Sequence, residues 1–119
     1  MRTPALAIFF ATLLAWPIHA TPQNDPMPKE GDFVARDFRF QNGEVLPELR
    51  LHYTTLGTPQ RNKEGRITNA VLMLHGTTGT GRSFLAPSFT KELFGAGQVL
   101  DASRYYIILP DGIGRGGSS

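Results

Sequence analysis

The spacing of apolar positions changes several times along the chain, and each spacing predicts a different element. Ala5 to Trp16 is almost wholly apolar. At that length it is too short to span a bilayer. Further on, Phe33 to Phe40 and Leu49 to Leu56 flank Gln41-Asn42-Gly43-Glu44, and an Asn-Gly pair between two such segments predicts a β-hairpin. In the second segment Leu49, Leu51 and Tyr53 alternate with Arg50, His52 and Thr54, the pattern of a strand with one wet face. The polar loop Gly57 to Gly65 ends this texture. Ala70 to Leu74 and Tyr105 to Leu109 are continuous apolar runs, as expected of parallel strands covered on both faces. Between them, Ser88 to Phe94 predicts a short helix: Phe89 and Leu93 fall at i and i+4, Pro87 precedes it and Gly95 stops it. Strand, helix and parallel strand make a βαβ crossover. The predicted fold class is therefore α/β, an antiparallel hairpin leading into a parallel sheet that is incomplete within this chain.

Charge and composition change the meaning of the first segment. Arg2 is the only charge ahead of the apolar run, and Pro17-Ile18-His19-Ala20 follows it with Ile18 and Ala20 at the −3 and −1 positions. A positive start, a short apolar core and such residues describe a secretory signal peptide over 1–20, cleaved after Ala20. The alternative is an uncleaved anchor or a buried helix. Cleavage places the mature chain in the periplasm or outside the cell, with no stable membrane span. Residues 21–32 combine three prolines with polar residues and predict an extended arm, leaving 33–119 as the domain. With no cysteine in 119 residues, disulfides and thiolate metal sites are excluded. The net charge is only +2 and the basic residues are scattered, which argues against a nucleic-acid partner.

Two glycine-rich loops follow the apolar runs. In the first, Gly76-x-x-x-x-Gly81-Arg82-Ser83 differs by one residue from the phosphate-binding pattern GxxxxGK[ST]. Arg82 stands where a compact lysine charge must reach the phosphates, and an exported protein meets little nucleoside triphosphate, so a nucleotide cradle is disfavoured. A different chemistry starts from His75-Gly76 at the carboxyl end of a strand, where open α/β sheets place their ligand sites. Acyl transfer needs backbone N–H donors aimed at an oxyanion, and glycine allows the tight turn that presents them. Thr77 would supply such an N–H. An ordinary strand-to-helix turn is the plainer alternative. In the second loop Gly112, Gly114 and Gly117 formally satisfy GxGxxG. The acidic ribose partner of a dinucleotide site is expected about twenty residues later, beyond Ser119.

Taken in order, Gly43-Glu44-Val45-Leu46-Pro47, Leu56-Gly57, the run Asn69 to Leu74 with His75-Gly76-Thr77-Thr78-Gly79, the segment Leu93 to Ile108, and Asp111-Gly112-Ile113-Gly114-Arg115-Gly116-Gly117-Ser118-Ser119 resemble the beginning of an α/β-hydrolase. More narrowly they resemble the branch containing homoserine O-acetyltransferases, and the resemblance covers nearly all of the chain after about Gly31. It implies an oxyanion donor at Thr77 within a loop of His75, Gly76, Thr78 and Gly79, with no cofactor and no metal. It also implies a serine nucleophile in a Gly-x-Ser-x-Gly elbow after the next strand, then an acid, then a histidine. None of the three is present. Ser83 lacks the second glycine, Ser118 belongs to a structural loop, and His52 and His75 come too early to be the base.

The implied activity is hydrolysis of a small-molecule ester or acyl substrate by a complete enzyme, of which this chain alone should not turn over. Acetyl-CoA is cytoplasmic, so export favours water as the acyl acceptor over a transferase of the homoserine O-acetyltransferase type. A second alternative is a small non-catalytic exported binding protein. Against it, Tyr105 to Leu109 would lack cover, and residues 21–119 made alone should be poorly soluble or loosely packed.

Overall fold

The computed structural model describes residues 27–119, so the signal peptide expected over 1–20 and the first half of the predicted arm, 21–26, lie outside the described residues. Two long strands come first, β1 (Lys29–Arg39) and β2 (Val45–Leu56), paired antiparallel from Lys29↔Thr55 to Arg39↔Val45. β1 thus begins at Lys29 rather than Phe33, and Lys29 to Asp32, expected in the arm, join the sheet. The predicted turn closes the pair: Phe40 donates to the Glu44 carbonyl at 2.9 Å, and Gly43 supplies the left-handed φ of 92°. At Asp37 the ladder is interrupted opposite Pro47, whose nitrogen has no proton to donate.

After the loop that follows β2 come β3 (Ala70–Leu72), a 3₁₀ helix (Gly81–Leu85), α1 (Pro87–Leu93) and β4 (Tyr106–Pro110). β4 runs parallel to β3 and antiparallel to β2, which gives the sheet order β1-β2-β4-β3. The predicted crossover therefore forms. α1 starts with Pro87 inside it at the first turn, where the missing N–H costs nothing, and is closed by Phe94, whose N–H reaches the Thr90 carbonyl at 3.2 Å. Gly95 follows as the first residue beyond that cap, and the 3₁₀ helix was not legible from periodicity.

Burial departs from the sequence pattern at two places. Thr54, predicted on the wet face of β2, is almost fully buried. Past Tyr53 the strand becomes central, with β1 on one side and β4 on the other, and the Thr54↔Leu109 and Leu56↔Ile107 pairs face the core. Second, the apolar runs are covered on one face only. Along β4, Ile107 and Leu109 are 0% exposed beneath Phe94 and Ala102, whereas Tyr106, Ile108 and Pro110 point to the opposite side. There they line a shallow apolar surface with Phe33, Leu51, Tyr53 and Ile67. On β3 and just beyond it, Leu72 and Leu74 are 60% and 70% exposed. Among the described residues no helix packs over that face, so the expected two-sided cover is not found.

Candidate functional site

Both glycine-rich loops leave the carboxyl ends of the adjacent parallel strands β3 and β4, and a single buried carboxylate joins them. Asp111, 5% exposed, accepts the Gly81 N–H on one oxygen and the Gly117 N–H on the other, each at 2.8 Å. Its own N–H donates to the His52 carbonyl at 2.8 Å, and its carbonyl accepts the Ser118 hydroxyl at 3.1 Å. Burial by itself pushes the carboxyl up. The N–H donors of Gly117 and Gly81, with His52 and His75 nearby, outweigh it and hold Asp111 below the ordinary carboxylate range.

This carboxylate decides the phosphate question. Gly81 has its N–H committed to Asp111, and a Cβ there would stand 2.2 Å from the Leu109 carbonyl oxygen, so the glycine serves close packing of the loop on β4. Arg82 turns away to pair with Glu30 on β1. The anion that these two glycine-rich loops cradle is the protein's own. Asp111 was visible in the sequence only as part of an Asp-Gly turn signal, which gives no hint of a buried junction.

His75 ties the loops a second time. Its Nε2 accepts the Gly112 N–H at 2.8 Å, and its Nδ1 lies 2.6 Å from the Gly76 carbonyl oxygen. Because a backbone N–H can only donate, Nε2 is the acceptor and the ring proton sits on Nδ1. Gly79 donates to the same Gly76 carbonyl at 3.1 Å, closing a turn over Thr77 and Thr78, both exposed. The Thr77 N–H donates to nothing among the described residues. His75, Gly76, Thr77, Thr78 and Gly79 thus form one turn, half-buried at His75 and Gly79 and exposed between them, next to a cleft lined by Leu74, His75, Pro110, Asp111 and Gly112.

The remaining candidate side chains have structural partners. Ser83 accepts the Thr80 N–H at 3.1 Å at the start of the 3₁₀ helix. Ser118 accepts the His52 N–H at 2.9 Å, and Ser119 the Arg50 N–H at 2.8 Å, so the two hydroxyls continue the pairing of β2 where β4 has ended. His52 contacts Asp32 through Nδ1 at 2.8 Å. No serine hydroxyl is bonded to a histidine ring nitrogen among the described residues. Nor do these residues hold a cluster of three or more histidine or acidic side chains placed to bind a metal, or a helix long and apolar enough to cross a membrane.

Comparison with solved structures decides the architecture. An acetylester hydrolase from Corynebacterium glutamicum superposes with a TM-score of 0.59 at 27% identity, over 76% of this chain and 23% of that one. The chain carries a partial α/β-hydrolase fold. A homoserine O-acetyltransferase from Staphylococcus aureus shares the fold with the same TM-score, 0.59, at 20% identity, over 78% of this chain and 27% of that structure. In sequence, a homoserine O-acetyltransferase of Thermus thermophilus is 30% identical over 116 residues, and one of Thermobifida fusca 32% identical over 81 residues. This α/β-hydrolase portion spans 30% and 20% of the lengths of those two relatives. No family model matches the chain.

Proposed function

We propose that this chain is the amino-terminal portion of an exported α/β-fold serine hydrolase that cleaves a small ester or releases an acyl group to water. The observation that carries the proposal is the His75-Gly76-Thr77 turn beyond β3, which leaves the Thr77 N–H without a partner among the described residues two positions from His75, a residue that lines the cleft. An unpaired backbone donor fixed at a strand end is what a tetrahedral intermediate needs for its oxyanion. In the working enzyme a serine from beyond this chain attacks the acyl carbon, a histidine takes the serine proton, and the Thr77 N–H receives the developing negative charge. The intermediate collapses as the histidine returns that proton to the departing alcohol, and water, deprotonated by the same histidine, then hydrolyses the acyl-serine ester to free the acid and restore the serine. Residues 27–119 supply the donor and its scaffold but neither nucleophile nor base, so the 119-residue chain alone is inactive.

Acyl transfer is the second reading, favoured by relatives that are homoserine O-acetyltransferases. The apolar run ahead of Pro17-Ile18-His19-Ala20 supports export and with it hydrolysis, since acetyl-CoA is not an extracytoplasmic metabolite. The test has two stages. Coding sequence downstream of the Ser119 codon is expected to encode a Gly-x-Ser-x-Gly elbow after one more strand, and later an acid and a histidine. The product of that whole frame should release acetate from 4-nitrophenyl acetate and leave homoserine unmodified in the presence of acetyl-CoA. A stop codon directly after Ser119 would sink the enzyme reading, and acetylation of homoserine would sink hydrolysis.

A further inference from the structure

His75 uses both ring nitrogens on backbone groups of two different loops: Nε2 accepts from Gly112 at 2.8 Å and Nδ1 donates to the Gly76 carbonyl at 2.6 Å. The second bond acts on Thr77. No peptide among the described residues is cis, so the Gly76 carbonyl and the Thr77 N–H belong to one planar trans unit and point in opposite directions. Drawing the carbonyl toward the ring therefore turns the Thr77 N–H away from it. Gly79 pulls on the same carbonyl at 3.1 Å. Sterics do not help, because a Cβ built on Gly76 would meet nothing within 4 Å, and glycine adopts either sign of φ with little cost.

We propose that His75 is a positioning residue: a neutral imidazole, protonated on Nδ1, that locks the Gly76–Thr77 peptide against rotation and anchors it through Gly112 to the loop after β4. The oxyanion role of Thr77 rests on the function proposed above, but the lock itself does not. Asp111, from the loop after β4, is the charged group that faces His75, with His52 on β2 acting on the same carboxylate. A second proton would make Nε2 a donor, and the Gly112 N–H would then lose its acceptor.

The test uses the whole gene product labelled with 15N. Long-range imidazole spectra should show His75 with a protonated Nδ1 and an acceptor-type Nε2 coupled to the Gly112 amide. On acidification the Gly112 resonance should follow the His75 imidazole as it gains its second proton. The opposite tautomer, a rotationally averaged ring, or a Gly112 amide indifferent to that protonation would each overturn the lock, and none of these readouts needs a variant. Two substitutions then separate the bonds. In His75→Asn the side-chain amide nitrogen stands near the Nδ1 position and can still hold Gly76. In His75→Gln the amide oxygen reaches toward the Nε2 position and can still accept from Gly112. The Thr77 amide should keep its resonance in H75N and shift or broaden in H75Q, whereas the Gly112 amide should do the reverse. A Thr77 amide that ignores H75Q overturns the proposal. A failed hydrolysis assay on the whole gene product would leave all of these signals in place, so the two readings fail separately.

Discussion

At the residue scale the junction of the two glycine-rich loops depends on a carboxylate having two equivalent acceptors. Asp111→Asn keeps one oxygen, but its amide nitrogen must then face either the Gly81 or the Gly117 N–H, donor against donor. The expected loss is about 1–3 kcal/mol, read as a lower urea midpoint of the full chain. The pH dependence gives a sharper signature. Asp111 is held below its unfolded value in the folded state, so the unfolded chain binds the proton first. The resulting stabilisation is complete above the unfolded value of about 4 and disappears as pH falls through the lower folded value. The acid limb of stability against pH should therefore be flatter in D111N than in the unaltered chain. It will not vanish, because Asp101 is lowered in the same direction by the Ser103 hydroxyl and by the Gly97 and Ser103 N–H groups. An acid limb unchanged by D111N would show that Asp111 does not carry that charge in the fold.

At the element scale, the parts set by local pattern were legible in the sequence and the parts set by neighbours were not. The Asn42-Gly43 turn, the hairpin and the parallel β3 and β4 with a helix between them follow from turn chemistry and period, and all are present. Thr54 was misassigned because burial on β2 is set by β4, more than fifty residues away, and not by alternation within the strand. The helix shows the same division. Its i and i+4 pair, Phe89 and Leu93, marks a helix without saying which side chains it buries: Phe89 is 40% exposed against Phe84, and Phe94 at the cap is 2% exposed within the core. The short helix ends by delivering its closing residue to Ile107 and Leu109. Phe94→Ala should accordingly cost roughly 3–5 kcal/mol, and Phe89→Ala about 1 kcal/mol or less. Comparison of the two denaturation midpoints decides it, and equal losses would mean that Phe94 does not anchor the helix to the core. Within the site, the His75 turn was legible as a motif, but its link to Gly112 was not, since no local spacing relates residues so far apart.

At the scale of the whole molecule the sheet is two-faced, and the two faces make opposite demands on substitution. One face, with Leu56, Ile107 and Leu109, is closed by Phe94 and Ala102. The other carries Phe33, Leu51, Tyr53, Tyr106 and Ile108 with no helix over them among the described residues, and Leu72 and Leu74 lie exposed at the β3 edge. Contiguous exposed apolar surface of this kind drives association and binds hydrophobic dyes. Hydrophobic burial on one side of a four-stranded sheet also contributes less stability than burial on both. The chain made alone is thus expected to bind 1-anilinonaphthalene-8-sulfonate and to self-associate at micromolar concentration. Polar substitution on the open face should relieve this without weakening the fold: Phe33→Ser loses little buried area, because that ring is already mostly in water. Ile107→Ser, on the closed face, removes apolar atoms from a site with no solvent access and adds a hydroxyl there, with an expected loss of roughly 3 kcal/mol or more. Dye fluorescence and the denaturation midpoint measured together separate the cases. F33S should lower the first and spare the second, and I107S should lower the second while raising the first. A chain that binds no dye, stays monomeric and melts sharply would mean that the apolar face is already covered, and would favour a self-sufficient binding protein over a portion of a larger hydrolase.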